Sequence, residues 1–253
     1  MDIGWCARVE EADRIEAIGY DFLEVALAPM MLEDDGFKAA AKAVTRTRFP
    51  HPVFNQFLPQ DMHVVGPDVN RARVLRYLAR AAEVLHAAGA KIVVFGSGWA
   101  RNVPDGWRRE DANGQFLEMV SWCTDALHGT GITLALEAQN RKETNFITTL
   151  GEAVSLAKTI DRPDVRVIAD TYHLHEAAEP LDVVVASLER VAHVHVSDSD
   201  RRAPGDGAYD FDGFFDRLKA FGYQGRLSIE MMKEGTDEEM RRSLAFVRGR
   251  WGR

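Results

Sequence analysis

Two kinds of hydrophobic pattern alternate along the chain. Short runs of aliphatic and β-branched residues, four to six residues long, are followed by longer stretches with apolar positions at helical spacing. The short runs predict eight strands, at 3–6, 22–27, 53–58, 91–95, 133–136, 165–169, 191–196 and 226–229. The longer stretches predict eight helices, at 10–18, 33–44, 69–88, 111–129, 149–160, 180–189, 210–222 and 236–250. Gly89 and Gly131 come just after two of these helices and Gly222 ends a third, in the positions that C-cap glycines take.

Apolar strands that alternate with helices predict a parallel sheet with helices on both faces. Eight such units in 253 residues match the size of a closed (β/α)8 barrel. A doubly wound open sheet is the alternative, because a strand count alone does not show closure. No linker rich in Pro, Gly or Ser divides the chain, so residues 1–253 are predicted to form a single TIM-barrel domain.

Charge and cysteine content narrow the classes of partner. The net charge of −8 and the absence of a long basic run disfavour nucleic acid as a partner. The two cysteines, Cys6 and Cys123, are too few for a zinc knuckle or a disulfide framework. The N-terminus lacks the regions of a signal peptide, and no apolar run approaches the roughly 18 residues of a membrane span. We therefore expect a cytoplasmic protein with neither a nucleic-acid nor a membrane partner.

Potential metal ligands stand at the ends of the last four predicted strands. They are Glu137, Asp170, His195 and Glu230, separated by 33, 25 and 35 residues, which is about one βα unit each time. The carboxyl ends of barrel strands meet at one face, where active sites of this fold lie. A single acid at such a position is commonly a helix cap, and a single histidine a hydrogen-bonded core residue. Four in succession favour a shared site.

Three carboxylates in a low-dielectric site repel one another, and a divalent cation relieves that repulsion. Three oxygen ligands and one imidazole predict Mn²⁺, with Co²⁺, Mg²⁺ and Zn²⁺ as alternatives. Deeper in the strand that carries His195, His193 is predicted to be a barrel-interior residue rather than a ligand.

Spaced motifs around these ligands carry a family resemblance. They are Glu137 with Glu143 six residues later, Asp170-Thr171-Tyr172-His173, His195 with Arg201 six residues later, Pro204-Gly205-Asp206-Gly207, and Glu230. In this combination, which lies mostly within residues 130–232, the chain resembles the xylose-isomerase-like sugar isomerases and epimerases. It is most similar to ketose 3-epimerases of the tagatose and psicose type. Ala138, Gln139 and Lys142 depart from that pattern and leave the substrate open.

The resemblance implies an enzyme that moves a proton beside the carbonyl of a small sugar or keto-polyol, and it allows a homodimer. It implies that Glu143, His173 and Arg201 bind the substrate. Glu143 has the alternative interpretation of a solvated loop charge, and Arg201 that of an ion pair with Asp198 or Asp200.

The same chemistry follows from the predicted site. A cation bound to a ketose carbonyl acidifies the adjacent C–H bond and stabilises the enediolate. Glu137 and Glu230 would then act as base and acid from two sides of the substrate. Return of the proton to the opposite face of carbon 3 gives 3-epimerisation. Return to a neighbouring carbon gives aldose–ketose isomerisation.

Three other functions compete with this prediction. A dehydratase or lyase of an inosose, dehydroshikimate or 3-keto-sugar would use the same metal site. An endonuclease-IV-like hydrolase would need more histidines at strand ends, whereas His86 and His128 fall within predicted helices. A non-catalytic metabolite-binding barrel would not need the full ligand set.

Overall fold

The computed structural model describes residues 1–34 and 36–252, and eight parallel strands close into a barrel within them. The strands are β1 Ile3–Ala7, β2 Phe22–Ala26, β3 Val53–Asn55, β4 Ile92–Phe95, β5 Thr133–Leu136, β6 Val165–Asp170, β7 Val191–Val196 and β8 Arg226–Ile229. Each strand pairs with the next, and β8 pairs with β1 in the register Gly4 to Ser228. The TIM-barrel prediction is confirmed, and the doubly wound alternative is wrong.

Helices connect the strands and cover the outside of the barrel. Within the described ranges they are α1 Ala12–Ile18, α2 Gly36–Arg46, α3 Arg71–Ala87, α4 Arg109–Ala126, α5 Leu150–Ile160, α6 Thr171–Glu176, α7 Leu181–Ser187, α8 Phe211–Phe221 and α9 Asp237–Trp251. Residue 35, which falls inside the predicted helix 33–44, and residue 253, at the end of the predicted domain, lie outside the described residues. No helix in the described part of the chain combines the length and apolar character that crossing a bilayer requires.

Two local predictions need correction. The third strand was predicted over 53–58 but ends at Asn55, because Gln56 takes a left-handed conformation with φ of 46° and leads the chain off the sheet. The short helix α6 was not predicted. It starts directly after β6, where the Asp170 carboxylate accepts hydrogen bonds from the backbone N–H groups of Tyr172 and His173.

Side-chain alternation along the strands places polar groups above an apolar layer inside the barrel. A buried cluster lines the lower interior and consists of Phe22, Val53, Ile92, Val94, Ala135 and Ile168. Successive side chains on a strand point to opposite faces, so the residue two positions later faces the same interior one level higher. Ile168 is thus followed by Asp170, Ala135 by Glu137 and Phe22 by Glu24. The polar layer rests on this apolar one.

Candidate metal centre

The four predicted ligands converge at the carboxyl ends of β5 to β8. One ligand atom from each of Glu137, Asp170, His195 and Glu230 belongs to a cluster whose atoms all lie within 4.8 Å of one another. His195 Nδ1 lies 3.3 Å from Glu137 Oε1, 3.6 Å from Asp170 Oδ2 and 3.2 Å from Glu230 Oε2. Glu137, Asp170 and His195 are buried, and Glu230 is partly exposed. The strand-end pattern therefore corresponds to one compact cluster.

The unpaired atoms of this cluster fit a cation. Glu137 Oε1, Asp170 Oδ2 and His195 Nδ1 are buried and have no hydrogen-bond partner among the residues that the structure describes. Buried polar atoms in proteins are nearly always paired, so three unpaired atoms that face one another need an explanation. Carboxylate oxygens with one imidazole nitrogen are a donor set for a divalent cation.

The second polar atom of each of these side chains is held by the protein. Gln139 Nε2 donates to Glu137 Oε2 at 3.0 Å, and His195 Nε2 lies 2.8 Å from the carboxylate of Glu24. Asp170 Oδ1 caps α6, as described above. The atoms that face the cluster are thereby oriented before any ligand arrives, which is how side chains around a metal ordinarily hold its ligands.

The electrostatic field of the cluster favours positive charge at its centre. Burial lowers the pKa of His195, but Glu24 and Glu230 raise it by more, and the net shift is well upward. Burial raises the pKa of Asp170 and Glu230, but Arg201 and neighbouring histidines lower both. The pKa of Asp170 falls to about 2, and that of Glu230 falls well below its usual value. A cation in this position would compete with the proton on His195.

Arg201 lies against the ligand cluster. Its Nη1 donates to Glu230 Oε2 at 2.5 Å, and its Nη2 lies 3.5 Å from Asp170 Oδ2. The alternative pairing with Asp198 or Asp200 is wrong. Asp200 and Arg201 both have positive φ angles, of 59° and 50°, and this turn accompanies the placement of Arg201 beside the barrel. Asp198 instead accepts hydrogen bonds from backbone N–H groups of its own loop.

His173 contacts Arg201 beside the cluster. Its Nδ1 accepts from the backbone N–H of Asn140 at 3.1 Å. Arg201 Nη2, which can only donate, lies 2.8 Å from Nε2 on the other side of the ring. Both ring nitrogens of His173 therefore face donors, and the ring is held between Asn140 and Arg201 at the edge of the cluster.

Two adjoining cavities open above the cluster, with volumes of about 380 and 580 Å³. They share a wall formed by Gln56, Glu230, Met231 and Met232. The larger cavity is also lined by Arg201 and by Glu143, whose pKa is raised by burial. Glu143 thus lies on a cavity wall and is not a fully solvated loop charge. Cavities of this size accommodate small molecules.

Sequence reasoning missed polar residues that contact the cluster. Asn55, at the end of β3, has its Nδ2 3.4 Å from Glu230 Oε1. Glu24 contacts His195 and was overlooked, although it is the one charged residue in the apolar run Phe22–Ala26, which is a usable signal. His193 is fully buried, as predicted for a barrel-interior residue, and it contacts Glu24 too.

Comparisons with known proteins agree with the fold and identify the family. The chain matches the xylose isomerase-like TIM barrel family over residues 12–250. A ketose 3-epimerase of Arthrobacter globiformis is 31% identical over 134 residues, which cover 52% of this chain and 46% of that enzyme, so this match spans about half of the relative. An L-ribulose 3-epimerase of Methylomonas sp. (strain DH-1) is 26% identical over 235 residues, or 92% of this chain and 82% of that enzyme.

A solved structure extends the comparison to the whole barrel. The crystal structure of a D-allulose 3-epimerase from Methylomonas sp. superposes with a TM-score of 0.84, at 22% identity, over 99% of this chain and 98% of that one. At this identity the likeness concerns the fold.

Proposed function

The chain belongs to the xylose isomerase-like TIM barrel family, and on that premise we propose that it is a divalent-metal-dependent sugar epimerase or isomerase. In this proposal it moves a proton beside the carbonyl of a ketose. The observation that carries the proposal is the convergence of four ligand atoms, three of them buried and unpaired among the described residues, beneath a cavity of small-molecule size. The epimerases to which the chain is similar support the reaction class.

Glu137, Asp170, His195 and Glu230 would hold the cation. Three oxygens and one nitrogen favour Mn²⁺, with Co²⁺, Mg²⁺ and Zn²⁺ as weaker candidates. When bound, the cation supplies electrostatic stabilisation of the negative charge that develops on the substrate oxygens as the proton leaves.

Glu137 and Glu230 would transfer the proton. They follow strands β5 and β8, and each has one oxygen held by another side chain, Gln139 for Glu137 and Arg201 for Glu230. Arg201 keeps Glu230 ionised and hence able to accept a proton from carbon 3 of a 2-ketose. Glu137 takes up a proton from solvent and donates it to the opposite face, while Glu230 releases its proton to solvent, so that both carboxylates end the cycle as they began it. In the reverse reaction the two carboxylates exchange roles.

Arg201, His173 and Glu143 would orient the substrate. His173 contacts Arg201 beside the cluster, and the remaining N–H groups of the guanidinium suit a hydroxyl or carbonyl oxygen next to the reacting carbon. Glu143 lines the same cavity and, as an acceptor, suits a hydroxyl hydrogen. Correct placement of reacting groups is worth several orders of magnitude in rate, so these contacts matter even without proton transfer.

Solvent-deuterium exchange tests the proposal. The protein, purified without chelator, is assayed for bound metal and then incubated with free ketoses and Mn²⁺ in D₂O. We expect about one metal ion per chain, from the four-ligand cluster found among the described residues, and deuterium at the carbon beside the carbonyl. Glu230→Gln should slow the exchange by about 10²- to 10⁴-fold, as expected for the loss of a general base.

Glu179→Gln is the matched control. Glu179 is a partly exposed carboxylate that accepts hydrogen bonds from the backbone N–H groups of Leu150 and Gly151, at the start of α5. This change should leave the exchange rate unaltered. A metal-free protein that takes up no Mn²⁺ contradicts the proposal. Bound metal without exchange on any ketose contradicts the substrate class, and formation of an absorbing enone identifies a dehydratase instead.

A further inference from the structure

Glu24 is a fully buried carboxylate that joins both histidines of β7. Its Oε1 lies 2.8 Å from His195 Nε2, and its Oε2 lies 2.9 Å from His193 Nε2. Strands β2 and β7 are not neighbours, because β1 and β8 stand between them. Glu24 therefore reaches across the interior of the barrel, and its contact with His195 exists only in the closed fold.

The position of this carboxylate is fixed from two sides. Each of its oxygens contacts a different histidine, so it cannot rotate without losing one hydrogen bond. His193 is held in turn, since its Nε2 also lies 3.1 Å from Ser228 Oγ and its ring packs edge-on against Phe22 at 6.3 Å between centroids. Burying a carboxylate costs free energy of folding unless it is paired, and here both partners are histidine rings on β7.

We propose that Glu24 is a positioning residue for the metal centre. Its Oε1 accepts the proton of His195 Nε2 and so selects the tautomer of His195 in which Nδ1 has a free lone pair. That lone pair faces the oxygens of Glu137, Asp170 and Glu230. With the proton on Nδ1 instead, the nitrogen that faces these oxygens could not bind a cation. This inference rests on the proposed function.

A carboxylate does more here than fill space. A hydrogen-bonded carboxylate behind a ligating imidazole orients the ring and raises its basicity, and removal of such a partner typically weakens metal binding by about 10- to 100-fold. A glutamine in the same place would match the shape of Glu24 without its charge. Its amide would also turn an NH₂ group toward one of the two histidines, so only one of the present hydrogen bonds could persist.

Mn²⁺ titration of the purified full-length protein tests the role. Free Mn²⁺ is followed by electron paramagnetic resonance for the wild type, Glu24→Gln and the control Glu179→Gln. We expect Glu24→Gln to raise the Kd for Mn²⁺ by about 10- to 100-fold and Glu179→Gln to leave it unchanged. The melting temperature of the metal-free protein reports any structural damage. A purely structural role would lower that temperature and leave the Kd of the folded protein unaltered, which would overturn the inference.

A second readout is made on the wild type, and a variant serves only to assign the resonance. Nitrogen-15 NMR of the Zn²⁺-loaded wild type should show His195 protonated on Nε2, with Nδ1 unprotonated, and the resonance is assigned by its loss in His195→Gln. A proton on Nδ1 of the loaded protein would overturn the inference while the metal centre stands. A wild type that binds neither Mn²⁺ nor Zn²⁺ would overturn the proposed function, and the positioning role with it.

Discussion

The strands in the two halves of the barrel end in different types of residue. On β5 to β8 the interior-facing residues at the upper end are Glu137, Asp170, His195 and Glu230. On β1 to β4 the corresponding residues are small or uncharged, and they are Cys6, Ala26, Asn55 and Gly96. The first three of these line the smaller cavity. One half of the same scaffold thus concentrates charge, whereas the other leaves room beside it.

This division shows how one barrel places the candidate ligands in one half and the open cavity beside them in the other. Consecutive strands are neighbours, so four consecutive strand ends bring their ligands together without any long-range arrangement. The small residues of the other half matter because they leave space next to the charged side chains. Gly96 is the clearest case, since a Cβ there would collide with Glu137 Oε2 and lie 2.6 Å from Gln139 Nε2.

Removal of one charge from the charged half should have the largest effect. Asp170→Asn keeps an oxygen that can still cap α6, but it deletes a charged ligand. We expect the Kd for Mn²⁺ to rise by more than about 100-fold, beyond what a change behind a ligand costs. The metal-free protein should melt below the wild type, because the lowered pKa of Asp170 means that its charged form stabilises the fold through Arg201 and the neighbouring histidines. Calorimetric titration and thermal melting measure the two effects. Unchanged metal affinity would show that Asp170 is not a ligand.

Adding a methyl group in the half with small residues should have the next largest effect. In Gly96→Ala the added methyl group collides with side-chain ends of Glu137 and Gln139 rather than with backbone, so the fold should persist while Glu137 is displaced. Displacement of a reacting group by about 1 Å can cost about 100-fold in rate. We expect a loss of kcat of that order, measured by the deuterium-exchange assay.

A glycine elsewhere provides the matched control. A Cβ at Gly114, in the middle of α4, would meet nothing within 4 Å. Gly114→Ala should therefore leave kcat unchanged and raise the free energy of unfolding by about 0.5 to 1 kcal/mol, the helix propensity difference between the two residues. Equal kcat in Gly96→Ala and Gly114→Ala would mean that the space beside Glu137 is not needed.

The pH dependence of metal binding should be a smaller effect, centred on His195 in the charged half. The pKa of His195 is raised in the metal-free fold, so its protonated form stabilises the protein. That stabilisation is complete below the unfolded value of about 6.5 and is lost as the pH rises through the higher folded value. Because a cation must displace this proton, the Kd for Mn²⁺ should fall by up to about tenfold per pH unit in that window. Titrations from about pH 6.5 upward measure the slope, and a flat profile would contradict proton displacement at His195.

Much of the fold and part of the site were predictable from local patterns. Strand and helix periodicities are properties of adjacent residues, and the spacing of Glu137, Asp170, His195 and Glu230 follows from one βα unit each. The end of β3 and the helix α6 were missed because each depends on a local feature, the left-handed Gln56 and the cap provided by Asp170, that hydrophobic periodicity does not report. The pairing of Arg201 was left open, since the nearest acids in sequence are not the nearest in space.

By itself, then, the sequence determined the eight alternating units and the strand ends at which ligand-type residues stand, because both depend on short-range period and spacing. Only the tertiary structure decided that Glu24 reaches His195 across the barrel, that Asn55 lies beside Glu230, and that Arg201 turns back onto the cluster. These contacts join strands or loops that are far apart in the chain. Their geometry depends on closure of the sheet and on the direction of each side chain, which no local pattern specifies.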